Sequence, residues 1–442
     1  MKRIHFIGIG GIGVSALARY YLSKRHKITG SDLASSEIID ALKKKGVKIY
    51  IGRHKAKNIS KNIDQVIYSP AITKENPELK RAHKLKATGH NIQVVSYPQA
   101  LGELTKTHFT IAVAGSHGKS TVTAMIGLLL RKAKFDPTVI VGTKLKEFGD
   151  SNCRVGKSNY LVIEADEHLG SFLNYYPKII VLVSLEPDHL DYYKNLSNLI
   201  KAFKKFIANL KKGGFLIANA DDKNIKKIIP QRYRNVRWYS IRVKAAAKLS
   251  KILQVPGKFN ISNALAALMV ARTLKIRDKL SFKALSQYKY SWRRFQITEI
   301  LCPKPYTLID DYGHHPTQVR VTLKAARQKY PKRKIWCVYQ PHQYQRTHYL
   351  FDEFVQVFKK APVDKLIITD IYSVAGREKL DLKKKVNSQK LVKAVGKDSV
   401  IYIPKGKIIS FLKKNIEGGE VVILMGAGDI YNLGLELRGK RG

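Results

Sequence analysis

Seven consecutive residues, Gly115-Ser116-His117-Gly118-Lys119-Ser120-Thr121, follow an apolar run from Phe109 to Ala114 and precede a helical stretch through Arg131. Glycines in such a turn let successive backbone N–H groups wrap a polyphosphate, while Lys119 reaches the β and γ oxygens and the Ser120 hydroxyl can ligate Mg2+. The two glycines stand closer together than in the common triphosphate loop G-x-x-x-x-G-K-[ST], but the strand before and the helix after support an ATP reading. Two later apolar runs end in groups suited to the same chemistry. Tyr160 to Ile163 leads into Glu164-Ala165-Asp166-Glu167, and Ile179 to Ser184 leads into Leu185-Glu186-Pro187-Asp188-His189. Mg2+ prefers oxygen, so Glu164 is the expected first ligand and His189 a second-metal or phosphate-side group.

A second Gly-rich turn, Gly8-Ile9-Gly10-Gly11-Ile12-Gly13, follows the strand-like Arg3 to Ile7, with a helical stretch from Val14 to Leu22 and Asp32 further on. This is the G-x-G-x-x-G pattern with a downstream acid, in which glycines let the backbone approach a diphosphate at a helix N-terminus. Any ligand carrying a nucleoside diphosphate can use it, so NAD, NADP and a UDP-sugar all remain open. The segment Val66 to Ile72 places the Ser69 hydroxyl and the Ala71 N–H at a strand's C-terminal end, where open α/β sheets bind ligands. The pair His314-His315 has the ligand type for zinc, but no further ligand spacing accompanies it, and capping or packing is the ordinary alternative.

These residues need a scaffold that brings several strand ends to one edge. Short β-branched runs alternate with helical stretches almost throughout, which predicts an α/β fold of parallel sheets covered by helices. New sets of such units open at Lys2, at Phe109 and near Gln296 to Tyr306. The expected domains are therefore 1–106, Rossmann-like; 107–295, a central ATP-binding α/β domain; and 296–442, again Rossmann-like. Parallel strands of one sheet end on the same side, so the Glu164 and His189 segments should converge on the phosphate loop.

At 442 residues, 44% hydrophobic and 9% aromatic, the chain can bury several cores, and nothing in its composition suggests disorder. Cys153, Cys302 and Cys337 lie far apart without C-x-x-C spacing, against a disulfide framework or thiolate zinc site. The apolar runs fall short of the roughly 18 to 20 residues needed to span a bilayer. Met1-Lys2-Arg3 and the following apolar stretch lack a cleavage site and are broken by glycines, so a cytoplasmic protein is expected. The net charge of +48 favours polyanions in general, but the lysines are spread along the chain without a nucleic-acid signature. A solvated basic surface is the expectation, with neither specific nucleic-acid binding nor membrane insertion, and a monomer or weak homodimer.

Together, the shortened loop Gly115 to Ser120, the segment Glu186 to His189 and Gly257 to Ala264 resemble the central-domain landmarks of the Mur ligases, ATP-dependent amide-forming enzymes of peptidoglycan precursor synthesis. The segments His5 to Gly13, Asp310 to Pro316 and Gln340-Pro341-His342 resemble the branch acting on UDP-N-acetylmuramate and L-alanine. The resemblance spans nearly the whole chain. It implies a UDP-sugar at Gly8, Gly10, Gly11, Gly13, Asp32, Ser69 and Ala71, with His117 on the sugar side. It implies ATP at the Gly115–Thr121 loop with Asn260, Asn263, Arg294 and Asp311, and two Mg2+ ions held by Ser120, Glu164 and His189. The amino acid would meet Tyr312, His314 and Arg346, and the implied catalytic set is Lys119, Glu164, His189, His314 and Arg346. A ligase for a preformed peptide is the nearest alternative. Phe259 stands where the family has His, His168-Leu169 where Ser-Asp is usual, Gln343 where Arg commonly precedes Arg346, and the stretch from Tyr239 to Val255 is short.

Overall fold

A computed structural model describes residues 1–229, 233–301, 304–374 and 380–439. Cys302 lies outside the described residues; Cys153 and Cys337 are buried free thiols. The first sheet contains β1 (Arg3–Ile7), β2 (Lys27–Asp32), β3 (Lys48–Ile51), β4 (Gln65–Tyr68) and β5 (Gln93–Ser96), all parallel in the order β3-β2-β1-β4-β5. The order reverses next to β1, so the Gly-rich turn leaves the sheet at its topological switch point.

The second sheet contains β6 (Phe109–Ala114), β7 (Thr138–Leu145), β8 (Ser151–Arg154), β9 (Tyr160–Ala165), β10 (Ile179–Leu182), β11 (Phe215–Asn219) and β12 (Val236–Tyr239). Their order is β12-β11-β10-β6-β9-β7-β8, with only β8 antiparallel to its neighbour. Ile111 to Ala114 are fully buried, as expected of a central parallel strand covered on both faces. β6 lies between β9 and β10, so the phosphate loop emerges between the two carboxylate-bearing segments. β10 stops at Leu182, two residues before the Ser184 expected from its apolar run. Beyond it the backbone turns to the loop: Val183 N–H donates to the Ala114 carbonyl, and the Ser184 carbonyl accepts from Ser116 N–H.

The third sheet contains β13 (Gln296–Ile300), β14 (Tyr306–Asp311), β15 (Ile335–Tyr339), β16 (Lys365–Ile368), β17 (Val400–Tyr402) and β18 (Val421–Met425), ordered β13-β14-β18-β15-β16-β17 with β13 antiparallel. Strand alternation sends Ile309, Cys337, Tyr339, Ile423 and Met425 into one core and Leu308, Trp336, Val338, Val422 and Leu424 into another on the opposite face. The chain forms two compact units. One holds residues 1–188, 195–252 and 262–287 with the first two sheets, and the other holds 189–194, 253–261 and 288–442 with the third. Among the described residues, no helix is long and apolar enough to cross a membrane.

Candidate active site

In the first unit, the turn after β1 is held by its own backbone and by Asp32. Gly8 adopts φ +77° and donates to the Ser31 carbonyl at 2.9 Å, and Gly11 N–H donates back to the Gly8 carbonyl at 3.2 Å. Asp32 Oδ2 accepts from Gly10 N–H at 2.8 Å, and a Cβ at Gly10 would stand 2.9 Å from that oxygen. Ser69 packs on Gly8, and its hydroxyl accepts from Ala71 N–H at 3.3 Å. Gly8, Gly10, Gly11, Asp32, Ser69 and Ala71 thus gather at one sheet edge. The following helix, Ile12–Ser23, begins two residues before the expected Val14 and is braced by Asn152 of β8, whose amide donates to Ser15 Oγ at 2.8 Å.

The phosphate loop is stitched to the segment after β10. His117 N–H donates to Ser184 Oγ at 2.9 Å, while Ser116 Oγ donates to the Glu186 carbonyl and accepts from Glu186 N–H, both at 2.9 Å. Gly115 has φ +143°, and a Cβ there would meet the Ser184 backbone at 2.7 Å, so this position admits only glycine. Gly118 is left-handed at φ +85° and caps the helix Lys119–Lys132, with the Asn263 amide oxygen 2.6 Å from its absent Cβ. Ser120 and Thr121 are buried in that helix's first turn. Glu164, paired in register with Val113 of β6, accepts from Gly142 N–H at 2.6 Å. His117 Nε2 lies 3.3 Å from Glu186 Oε2.

Lys119 has a defined position. Its ammonium donates to the Gly115 carbonyl at 2.8 Å and to both oxygens of Glu167 at 2.8 and 3.0 Å, with Asp166 at 3.6 Å. Burial alone would lower the lysine's pKa, but Glu167 and Asp166 outweigh it and hold it above the ordinary value, so the group is a permanent cation at neutral pH.

In the second unit, Asp311 at the end of β14 is almost wholly buried. Its carboxylate accepts from Phe295 N–H at 2.9 Å, Gly313 N–H at 2.8 Å and the Thr322 hydroxyl at 3.3 Å. Burial pushes its pKa up, opposed by the Arg294 charge and these hydrogen bonds. The Tyr312 ring lies 5.0 Å from each of the Arg293 and Arg294 guanidiniums. His314 is tied to the Tyr312 carbonyl at 3.0 Å, and its ring faces His342 at 5.7 Å. His342 stacks on Tyr372 at 5.4 Å and 13°. Arg346 Nη1 reaches His342 Nδ1 at 3.2 Å and Gln343 Oε1 at 3.4 Å. Tyr312, His314 and Arg346 therefore belong to one cluster. His315 caps the helix Pro316–Lys329 by accepting from Thr317 N–H at 3.3 Å, the ordinary reading of the histidine pair. His189 opens the short helix Leu190–Tyr193 from a left-handed backbone. Asn260 donates to the Pro256 carbonyl at 2.7 Å. Phe259, in place of the expected histidine, packs on Gly257 and against the third sheet's core.

Family models for the Mur ligase family match this chain in three parts: the catalytic domain at residues 3–109, the middle domain at 113–255 and the glutamate ligase domain at 293–428. The UDP-N-acetylmuramate--L-alanine ligase of Clostridium acetobutylicum is 40% identical, covering 98% of this chain and 96% of that protein. The chain is a Mur ligase. The enzyme of the same name from Acetivibrio thermocellus is 39% identical over 98% of the chain and 95% of its own length. Among solved structures, the UDP-N-acetylmuramate-alanine ligase of Thermotoga maritima shares the fold with a TM-score of 0.77 at 24% identity, covering 99% of this chain and 98% of that one. A murein peptide ligase from Psychrobacter arcticus does so with a TM-score of 0.72 at 21% identity, covering 99% of each. Mur ligases use ATP to form amide bonds.

Sequence reasoning passed over several groups that this Mur ligase places among the candidate residues of one unit or the other. Glu167 was visible as an acid near Glu164, but only the pairing of β9 beside β6 brings the segment after Ala165 to the phosphate loop, where Glu167 meets Lys119. Arg293 was hidden behind its neighbour Arg294. It is buried, with its guanidinium donating to the Gly426 carbonyl and, at 3.3 Å, to that of Gly428. Tyr372 carried no motif at all.

Proposed function

We propose that this chain joins L-alanine to the lactyl carboxylate of UDP-N-acetylmuramate at the expense of ATP. The full-length match at 40% identity to relatives of that name carries the reading, and the Lys119 loop and the Gly8–Gly13 turn supply the two binding elements it needs. We assign 1–106 to the UDP-sugar, 107–295 to ATP and 296–442 to the amino acid. A carboxylate oxygen attacks the γ-phosphorus and ADP leaves, giving an acyl phosphate. The alanine amine then attacks the acyl carbon, loses a proton and displaces phosphate.

Phosphoryl transfer needs positioning and positive charge more than covalent chemistry from the protein. Lys119, kept protonated and held beside the loop, supplies one fixed cation. The Ser120 hydroxyl and the Glu164 carboxylate are hard oxygen donors of the type Mg2+ takes, and we assign His189 to a second ion. Bound Mg2+ would offset charge on the transferring phosphoryl group. The loop N–H groups and Asn263 orient the nucleotide, with Arg294, Asp311 and Asn260 assigned to its base and ribose. Arg346 is the cation for the alanine carboxylate, and Tyr312 and His314 shape that pocket. The reading is tested by phosphate release with UDP-N-acetylmuramate, ATP, Mg2+ and a panel of amino acids and a tripeptide. Release should require both nucleotides and be greatest with L-alanine. Release greatest with tripeptide would make the chain a peptide ligase, and release without the sugar nucleotide would overturn the assignment.

A further inference from the structure

Tyr97 is the first residue of the helix Tyr97–Thr107, entered directly from β5, and its placement is over-determined. Gln99 reaches back so that its Oε1 accepts from Ser96 N–H at 2.8 Å and Ser96 Oγ at 2.9 Å, and Pro98 fixes the first turn. Further along, Gly102 has no Cβ and so admits the Asn174 carbonyl, while Thr105 Oγ1 accepts from Tyr176 N–H at 2.9 Å. These contacts clamp the helix to the segment that continues from Glu167. The Tyr97 ring consequently lies across the start of Ile12–Ser23: a Cβ at Gly13 would stand 2.8 Å from both its Oη and its Cζ. The last glycine of the Gly-rich pattern is thus required by this tyrosine.

The ring is half-buried, and among the described residues its hydroxyl has no hydrogen-bond partner. Burial, then the fields of Glu164 and Asp166, push its pKa well above the ordinary tyrosine value, so the hydroxyl remains a donor. It lies against the N-terminal end of a helix suited to a diphosphate, and it feels the charge of the carboxylates beside the phosphate loop. A ligand bound at the first with its reacting group at the second must pass it. A neutral donor facing that path suits an anionic oxygen, which also keeps its distance from Glu164 and Asp166.

We propose that Tyr97 is a substrate-positioning residue whose hydroxyl donates a hydrogen bond to an anionic oxygen of the sugar nucleotide as it passes from the Gly8–Gly13 turn toward Glu164. The inference rests on the sugar-nucleotide reading of that turn. The oxygen belongs either to the diphosphate or to the lactyl carboxylate.

Tyr97→Phe removes the hydroxyl and keeps the ring over Gly13. Calorimetric titration of the full chain with UDP and with UDP-N-acetylmuramate separates the possibilities. A Kd weakened about tenfold for both ligands, with wild-type Tm and KM for ATP, places the bond on the diphosphate; weakening of UDP-N-acetylmuramate alone places it on the carboxylate. Wild-type affinity of Tyr97→Phe for both ligands overturns the proposal while leaving the turn's assignment standing. Failure of the unmodified protein to bind either ligand overturns that assignment and the proposal with it.

Discussion

Replacing Lys119 by alanine removes the cation that lies against both oxygens of Glu167, a side chain with 0% exposure. Breaking a buried pair from one side typically costs about 3 to 5 kcal/mol. An independent bound comes from titration: the carboxylate that has lost the lysine can escape its charge by taking a proton, which at pH 7 costs about 3.7 kcal/mol for a glutamate of ordinary pKa near 4.3. The two figures agree, so Lys119→Ala should lower Tm at pH 7 by roughly 7 to 15 °C. At pH 5 protonation costs only about 1 kcal/mol, and the loss should shrink to roughly 2 to 4 °C. In the unmodified protein the lysine's pKa lies above its ordinary 10.5, so the stability linked to the lysine's own titration is fully present below about that pH and is lost as pH rises through the raised value. It therefore adds no slope of its own between pH 5 and 7. Glu167→Gln in the Lys119→Ala background should restore most of the stability at pH 7, while turnover stays at least about 10²-fold below wild type because the phosphate-side charge is gone. Thermal unfolding of the single and double variants at pH 5 and 7, with phosphate release in parallel, measures all of this. A Tm loss for Lys119→Ala that is the same at both pH values, or that Glu167→Gln does not relieve, would refute the reasoning.

At the amino-acid cluster, Gln343→Arg should lower the KM for L-alanine about tenfold while leaving the KM for ATP unchanged, because a neutral neighbour of Arg346 becomes a charged one. Arg346→Ala should raise the KM for L-alanine more strongly, and indifference of steady-state kinetics to both changes would move the carboxylate site elsewhere. In the first sheet, Glu78 is wholly buried: desolvation pushes its pKa up, but hydrogen bonds from His5, Ser31 and Asn58 outweigh this and hold it at about 2. Its contribution, on the order of 3 kcal/mol, is therefore present above pH 4.5 and lost as pH falls toward 2. Acid unfolding curves should show Glu78→Gln converging on the wild type below about pH 3, and parallel curves would contradict the network. Gly102→Ala should lower Tm, since its Cβ would strike the Asn174 carbonyl backbone, with no effect on the KM for ATP.

The periodic features were open to reading along the chain because their causes are local. Strands of β-branched residues and glycines at the two loops depend on neighbours a few positions away, and so the α/β class and the segments bearing Lys119 and Glu164 could be named in advance, whereas Arg346 came only with the family resemblance. Pairings across the chain were not legible in this way. Nothing in the spacing of Glu167 and Lys119 says that they touch, because that depends on β9 pairing beside β6. Tyr97 belongs to no motif, and Gly13 reads along the chain only as the final letter of one.

What the sequence determined by itself was which groups can do chemistry and on which kind of element each sits, since residue type and local periodicity are properties of short stretches. What only the tertiary structure decided was the partnership of those groups: Glu167 holding Lys119, Tyr97 standing over Gly13, and the His314 ring beside that of His342. Such pairings follow from strand order and close packing, in which residues tens of positions apart, such as Lys119 and Glu167 at 3.0 Å, are brought together, and no local pattern encodes that distance.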